Sequence, residues 1–369
     1  MKEKIKKYFT IPEGRESIYD FIRVISCFCV IVIHASIETQ GVTGAVFQVV
    51  SRTALPMFFL LSGALILGDE RKESMGRFYW KRFVSILVPF LLYGIVYTGW
   101  VNQGHEIPEH MSRADLIVLF REIPNAVKLN LKEMQFFHLW FMYAILGLYL
   151  ITPFLKTGLK AMSDKMLFAL AVFILVIMAI LDYLPLADIS IGIDFILNNW
   201  ILYYILGYII TRSFMKKWYP LLFIAGLIMA VVLTIWKYSG AQQTDNFFDL
   251  APHMILITCG MFAGFMLAAP FLTRCRPLNW VMMRLGKYSF SVYMIHGIIL
   301  FSFINHHPGL HFTGRGALLE SFLVFLRCLL FALLYDNIVV FNVQRLLKLL
   351  EKLFLKIFMK NKKISAENS

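Results

Sequence analysis

The chain is a succession of apolar runs separated by short polar segments, and that alternation predicts its elements. Runs long enough to cross a bilayer as helices, about 20 residues each, fall at 18–37, 44–67, 80–100, 137–155, 165–184, 195–211, 218–236, 252–272, 287–304 and 317–342. Hydrocarbon offers no water to satisfy backbone amides, so runs of this kind have to be helical. The pattern therefore predicts an all-α fold, a polytopic membrane bundle of about ten transmembrane helices.

The polar segments add an expected orientation. Lys and Arg crowd the N-terminus, the 69–82 loop, the 156–165 and 212–217 segments, the 274–287 segment and the stretch from Arg345 to Lys363, whereas the alternate loops carry Asp182, Asp188 and Asp194, or Asp245 and Asp249. The positive-inside rule then puts both termini in the cytoplasm. On this reading the chain divides into a cytoplasmic N-terminal segment, 1–17, a transmembrane domain, 18–343, and a basic cytoplasmic C-terminal tail, 344–369, ending in the solvated KNKKISAENS. One outer segment is long, 101–136, and its charge is mixed. Within it, SRADLIVLFREI reads either as an amphipathic helix on the membrane opened by Ser112 or as part of a packed extracellular lid.

Composition narrows the class. A chain of 369 residues that is 59% hydrophobic and 16% charged, with a mean hydropathy of +0.68, is too apolar for a soluble domain. The net charge of +13 sits in short clusters beside apolar runs, where it sets topology rather than binding nucleic acid. Of the five cysteines, Cys27, Cys29, Cys259 and Cys328 lie in or beside apolar runs and Cys275 in a basic loop, so no disulfide framework is expected. Cys27 and Cys29 lack a second pair to complete a zinc site, and no metal is expected. MKEKIKKYFT resembles the start of a signal peptide, but the run after it holds Arg23 and no small-x-small cleavage site, so it reads as a retained first span. Phosphate-loop, dinucleotide, HExxH and GxSxG motifs are all absent from the sequence.

The first span carries the candidate chemistry. DFIRVISCFCVIVIHASIE, from Asp20 to Glu38, holds Asp20, Arg23, His34 and Glu38, and ionisable groups inside a bilayer are costly enough to suggest function. Eleven residues from Arg23 to His34 make about three turns, which puts both side chains on one face roughly 16 Å apart. Asp20 stands three residues before Arg23 and Glu38 four after His34, so each would have a carboxylate nearby. A plainer reading makes Arg23 a snorkelling anchor paired with Asp20, and His34 an interfacial hydrogen-bonder. Four further stretches add polar groups: PMFFLLSGALIL with Ser62 and Gly63, GRFYWKRF with Arg77, Lys81 and Arg82, FFHLWFMYAILGLYLITP with His138 and Trp140, and GKYSFSVYMIHG with Ser289, Tyr293 and His296 on one helix face. His253 is a further candidate.

An Arg, ten residues and a His in the first span resembles the signature of the acyltransferase 3 family, and the other four stretches, in the same order, resemble that family's FF-x-LSG, basic-cluster, HLWF-x-Y and SYxIYLIH segments. The likeness covers about residues 15 to 340. It implies an integral membrane O-acyltransferase of the bacterial cytoplasmic membrane. Such proteins move acyl groups, most often acetyl, from cytoplasmic coenzyme A thioesters to hydroxyls of extracytoplasmic glycans, and some act on lipids or antibiotics. The partners would be acyl-CoA, a glycan or lipid-linked sugar, and membrane lipid. Acetyl-CoA would be a donor substrate, with no permanently bound cofactor. Arg23, Arg77, Lys81 and Arg82 would hold the donor, His34 would be the general base, and Glu38 would fix its tautomer. His138, Trp140, Tyr293 and His296 would lie on the acceptor side. The pantetheine arm would thread a wet passage shared by Arg23 and His34. The alternative is a transporter or flippase exporting a small molecule or lipid-linked sugar, whose substrate path would use the same intramembrane charges.

Overall fold

The computed structural model describes residues 17–102, 121, 123–125, 127–128, 137–183, 199–239 and 251–367. Every regular element among them is helical. In chain order, α1 is Ile18–Ala35, and α2 (Gly41–Ser51), α3 (Ala54–Ser62) and a π-helical turn, Gly63–Leu67, make up the second apolar stretch. The third is α4 (Met75–Arg82), a π turn at Phe83–Leu87 and α5 (Val88–Asn102). There follow α6 (Trp140–Lys160), α7 (Asp164–Tyr183), α8 (Asn199–Ile210), α9 (Tyr219–Tyr238), α10 (Pro252–Leu272) and α11 (Arg276–His306). The last stretch joins α12 (Gly314–Tyr335), a π turn at Asp336–Val340 and α13 (Phe341–Glu367).

Among the described residues eight helical stretches are long and apolar enough to cross a membrane. The shorter α8 and the 20-residue α7 stand where the pattern puts two more. The protein is a helical membrane bundle. Ser112 and Asp115 of the long outer segment lie outside the described residues. The segment expected to be a tail from residue 344 is helical through Glu367.

Prolines explain two of the breaks. Pro56 has no N–H for the carbonyl of Arg52, and the second stretch opens into a turn at Arg52 and Thr53. Pro89 likewise leaves the carbonyl of Ser85 without its helical donor, beside the π turn at Phe83–Leu87. In that turn the Gln344 side chain donates to the Val84 carbonyl at 3.0 Å, which ties α13 back to the third stretch.

Helices approach closely where side chains are missing. A Cβ at Gly63 would strike the Tyr204 carbonyl, and one at Gly207 would strike that of Leu60. The LSG stretch thus packs backbone to backbone on α8, the kind of contact that replaces the hydrophobic drive inside lipid. Gly226 and Gly260 do the same for α9 and α10, with a built Cβ 2.8 Å from the opposite Cα. Tyr93, Tyr97, Tyr203 and Tyr204 are fully buried, while leucines and isoleucines along α9 and α12 face outward. Asp336 is buried as well, accepting from the Tyr93 hydroxyl at 2.9 Å and from Ser291 at 2.7 Å. A carboxylate in this setting needs such partners, and these two join α5, α11 and the last stretch.

Candidate active site

Three histidines from separate parts of the chain meet inside the bundle. His34 lies in the last turn of α1, His138 in the short 3-10 turn Phe137–Leu139 that leads into α6, and His296 midway along α11. The His34 and His296 rings stack at 5.6 Å and 25°, and His138 meets His296 edge-on at 4.8 Å and 69°. His138 and His296 are buried and His34 is half-buried. Ring faces and edges meet here, and among the described residues no His, Cys, Asp and Glu group is arranged to hold a metal ion.

Hydrogen bonds set two of the tautomers. Nδ1 of His296 meets the Tyr293 carbonyl. A carbonyl only accepts, so Nδ1 carries the proton and the lone pair of the neutral ring is on Nε2. Tyr97 donates its hydroxyl to the Met294 carbonyl at 2.7 Å and meets Nε2 of His138 at 2.8 Å. Its single proton is thereby used, so His138 donates from Nε2 and its lone pair is on Nδ1. Tyr293 donates to the His138 backbone carbonyl. Gly297 leaves room for the ring, because a Cβ there would lie 2.9 Å from both His138 ring nitrogens. The end of α1 is fixed by Gln48, which donates to the Ile33 carbonyl at 3.0 Å and to Ser36 at 2.9 Å.

The other expected residues fall in several places. Arg23 pairs with buried Asp20 at 2.8 Å, as the three-residue spacing implied. Asp20 in turn packs on Gly286, where a Cβ would come within 2.9 Å of its carboxylate. Glu38 does not serve His34. α1 ends at Ala35, so the helical spacing fails, and the exposed Glu38 carboxylate accepts from Nε2 of His311 at 3.1 Å. Thr39 adds a bond to the His311 carbonyl at 2.6 Å, and together they join the turn after α1 to the turn before α12. The Trp140 ring stands apart from the histidines, against Trp200 at 4.7 Å, on a groove of about 610 Å³ that also includes Tyr143, Gly147 and Ile151.

Arg77, Lys81 and Arg82 line a cavity of about 500 Å³ at the Arg23 end of the bundle, together with Trp80, Gln344, Lys348, Glu351 and Lys352. Glu73 contacts Lys81 and lies 3.8 Å from Arg77. The Arg82 guanidinium sits over the Phe78 and Tyr149 rings at 5.3 and 5.4 Å, and its buried Nε has no hydrogen-bond partner among the described residues. Tyr149 also has Ser62 and Arg23 as neighbours, which brings four of the sequence motifs to one place.

The two polar ends are separated by packed side chains. Between Arg23 and His34 the same face of α1 carries Cys27 and Val30, both buried, and the Cys27 thiol donates to the Ser289 carbonyl at 3.2 Å. α6 repeats the order, with buried Ile145 and Met142 between Tyr149 and the His138 turn. The wet passage expected along α1 is therefore closed by apolar packing along this face.

Some contributors were not anticipated. Tyr97 sits in the run YGIVYTGW, where only its hydroxyl hinted at a partner. Gln344, Lys348 and Lys352 fell in the expected tail. Arg52, at the break in the second stretch, acts electrostatically on His34. The rule that singled out Arg23 would have found Arg52 too, since it is an intramembrane charge.

A polytopic helical bundle with a buried histidine cluster and a basic cavity at the opposite end defines a membrane protein built around intramembrane polar chemistry. The family model for the acyltransferase 3 group, described as an acyltransferase domain, matches residues 17–336, and the chain belongs to that family. It is a multi-pass membrane acyltransferase. No curated protein and no solved structure matches it.

Proposed function

We propose that the protein transfers a short acyl group, acetyl most simply, from a coenzyme A thioester to a hydroxyl of a cell-envelope glycan or lipid-linked sugar. The observation that carries this reading is the histidine cluster, built from three elements in an apolar interior where uncompensated polar groups are costly. His34 is the general base. Its imidazole takes the acceptor hydroxyl proton as the oxygen attacks the thioester carbonyl. The C–S bond then breaks, and the leaving thiolate recovers that proton, so His34 ends neutral. A positioned base of this kind contributes about 10²–10⁴-fold. His138 and His296, with their tautomers set, position the acceptor beside it, and Tyr293 holds the His138 backbone.

The basic cavity takes the donor phosphates. Arg77, Lys81, Arg82, Lys348 and Lys352 supply cations and Trp80 a flat surface for the base. Arg23 receives the arm as it leaves the cavity. From there the arm has to pass the Cys27, Val30, Ile145 and Met142 layer, so donor entry opens this packing. Positive-inside charge puts the cavity in the cytoplasm, with both termini, and the histidines toward the outside. The test is transfer of labelled acetyl from acetyl-CoA by reconstituted protein, with His34→Ala beside wild type. Loss of transfer at equal protein level is expected; equal activity would remove the base. Mass spectrometry of envelope glycans should show an acetyl increment that disappears with the gene. Unchanged glycans and no acetyl-CoA binding would leave an exporter as the better reading.

A further inference from the structure

α12, its π turn and the described part of α13 form one apolar helical stretch, Gly314–Lys356, of 43 residues. At 1.5 Å per residue it is about 64 Å long, roughly twice the thickness of the hydrocarbon core. Its second half therefore lies beyond that core, yet it keeps an apolar face: Leu346, Leu349, Leu350 and Leu353 are 48–55% exposed. On a helix these four centre about 165° from Gln344, Lys348, Glu351 and Lys352, the residues that line the basic cavity. The leucine face consequently points away from the protein. It continues the outward row of α12 and its π turn, where Leu330, Leu334 and Ile338 are 57–67% exposed. Between the two faces runs a basic edge of Arg345, Lys352 and Lys356.

We propose that α13 lies along the lipid leaflet, with its leucine face among the acyl chains and its basic edge on anionic headgroups, so that the bilayer holds one wall of the cavity in place. Apolar face, cationic edge and position just past a membrane crossing are the features of an interfacial helix. Anionic lipid complements the basic edge, whereas a second copy of the chain would present the same charge again. Because Lys348 and Lys352 belong to that wall, lipid charge governs donor affinity; this last step rests on reading the cavity as the donor site.

The test uses the full chain in nanodiscs of neutral phosphatidylcholine, or of phosphatidylcholine with added phosphatidylglycerol. Amide exchange along α13 and acetyl-CoA binding are both measured. Anionic discs should protect α13 and tighten binding. Lys356→Glu, outside the cavity lining, should weaken that lipid response by about fivefold or more without changing affinity in neutral discs. Leu346→Gln with Leu350→Gln should expose α13 in both lipids. Equal exchange of wild-type α13 in the two lipids overturns the proposal, as does protection that follows the number of copies per disc rather than lipid charge. If α13 responds to lipid but acetyl-CoA binds in neither disc, the leaflet seat stands and the donor reading falls.

Discussion

Alanine at Gly297 would set a methyl group against the His138 ring. The built Cβ strikes Cε1 of the ring and lies 2.9 Å from both ring nitrogens, where ordinary contact begins at 3.4 Å, so one side has to give by more than the 0.5 Å that the nitrogens alone require. A ring pushed that far along the Tyr97 bond would stretch it from 2.8 Å to more than about 3.3 Å, beyond the usual hydrogen-bond range. The alternative is for α11 to retreat from the turn that carries His138, which loosens the Tyr293 bond to the His138 carbonyl. Overpacking of this kind costs about 1–3 kcal/mol, and misplacement of an ångström can lower turnover by about 10²-fold. The expected result for Gly297→Ala is folded protein, a kcat reduced by about 10- to 100-fold and an unchanged KM for acetyl-CoA. The donor groups are distant, since Arg23 lies eleven residues of α1 from His34, roughly 16 Å. Gly147→Ala is the control, because a Cβ there meets nothing within 4 Å. Initial rates of labelled transfer and thermal midpoints in the same lipid would be compared. Wild-type kcat in Gly297→Ala, with an unaltered midpoint, would refute the view that the His138 ring position matters.

Other expectations follow from the same contacts. Arg82→Lys keeps the charge but loses the planar stack between Phe78 and Tyr149, so donor KM should rise several-fold with little change in kcat, as read from initial rates against acetyl-CoA. Gly63→Ala drives a methyl into the Tyr204 carbonyl, and the variant should fail to accumulate in membranes, as judged by immunoblot. Val30→Trp enlarges the layer between the two ends and should block transfer from acetyl-CoA while leaving its binding intact, as checked by calorimetry. At the loop after the second stretch, the Arg71 hydrogen bond holds the Asp69 carboxyl below its ordinary 3.8, at about 2. A depressed carboxyl stabilises above its unfolded value and loses that contribution as pH falls through about 2. Arg71 is largely exposed and Asp69 half-buried, a pair worth under about 1 kcal/mol, so Arg71→Gln should leave the thermal midpoint unchanged between neutral pH and mild acid.

Glu38 shows why part of the site was hidden from sequence. Its spacing from His34 holds only if α1 continues, and the helix stops at Ala35, where Gln48 from α2 receives its end. Asp20 and Arg23 lie well inside the same helix, and there the spacing was a safe guide. The lysines of α13 were given no role for another reason: a basic stretch near one end of the sequence shows nothing of the partner across the cavity.

Residue order is enough to show that the chain is a helical membrane bundle, where its apolar helices run, which family it belongs to and that Arg23 has Asp20 beside it. These depend on hydropathy, on neighbours within one helix or, for the family, on motifs in a set order along the chain, all of which the order of residues specifies directly. Tertiary structure alone decided that His34, His138 and His296 touch, that Tyr97 and Gly297 shape their cluster, that Glu38 serves His311 and that α13 walls the basic cavity. Those contacts join residues dozens to hundreds of positions apart, and they depend on which helix faces meet, where two backbones come close enough for a missing side chain to matter.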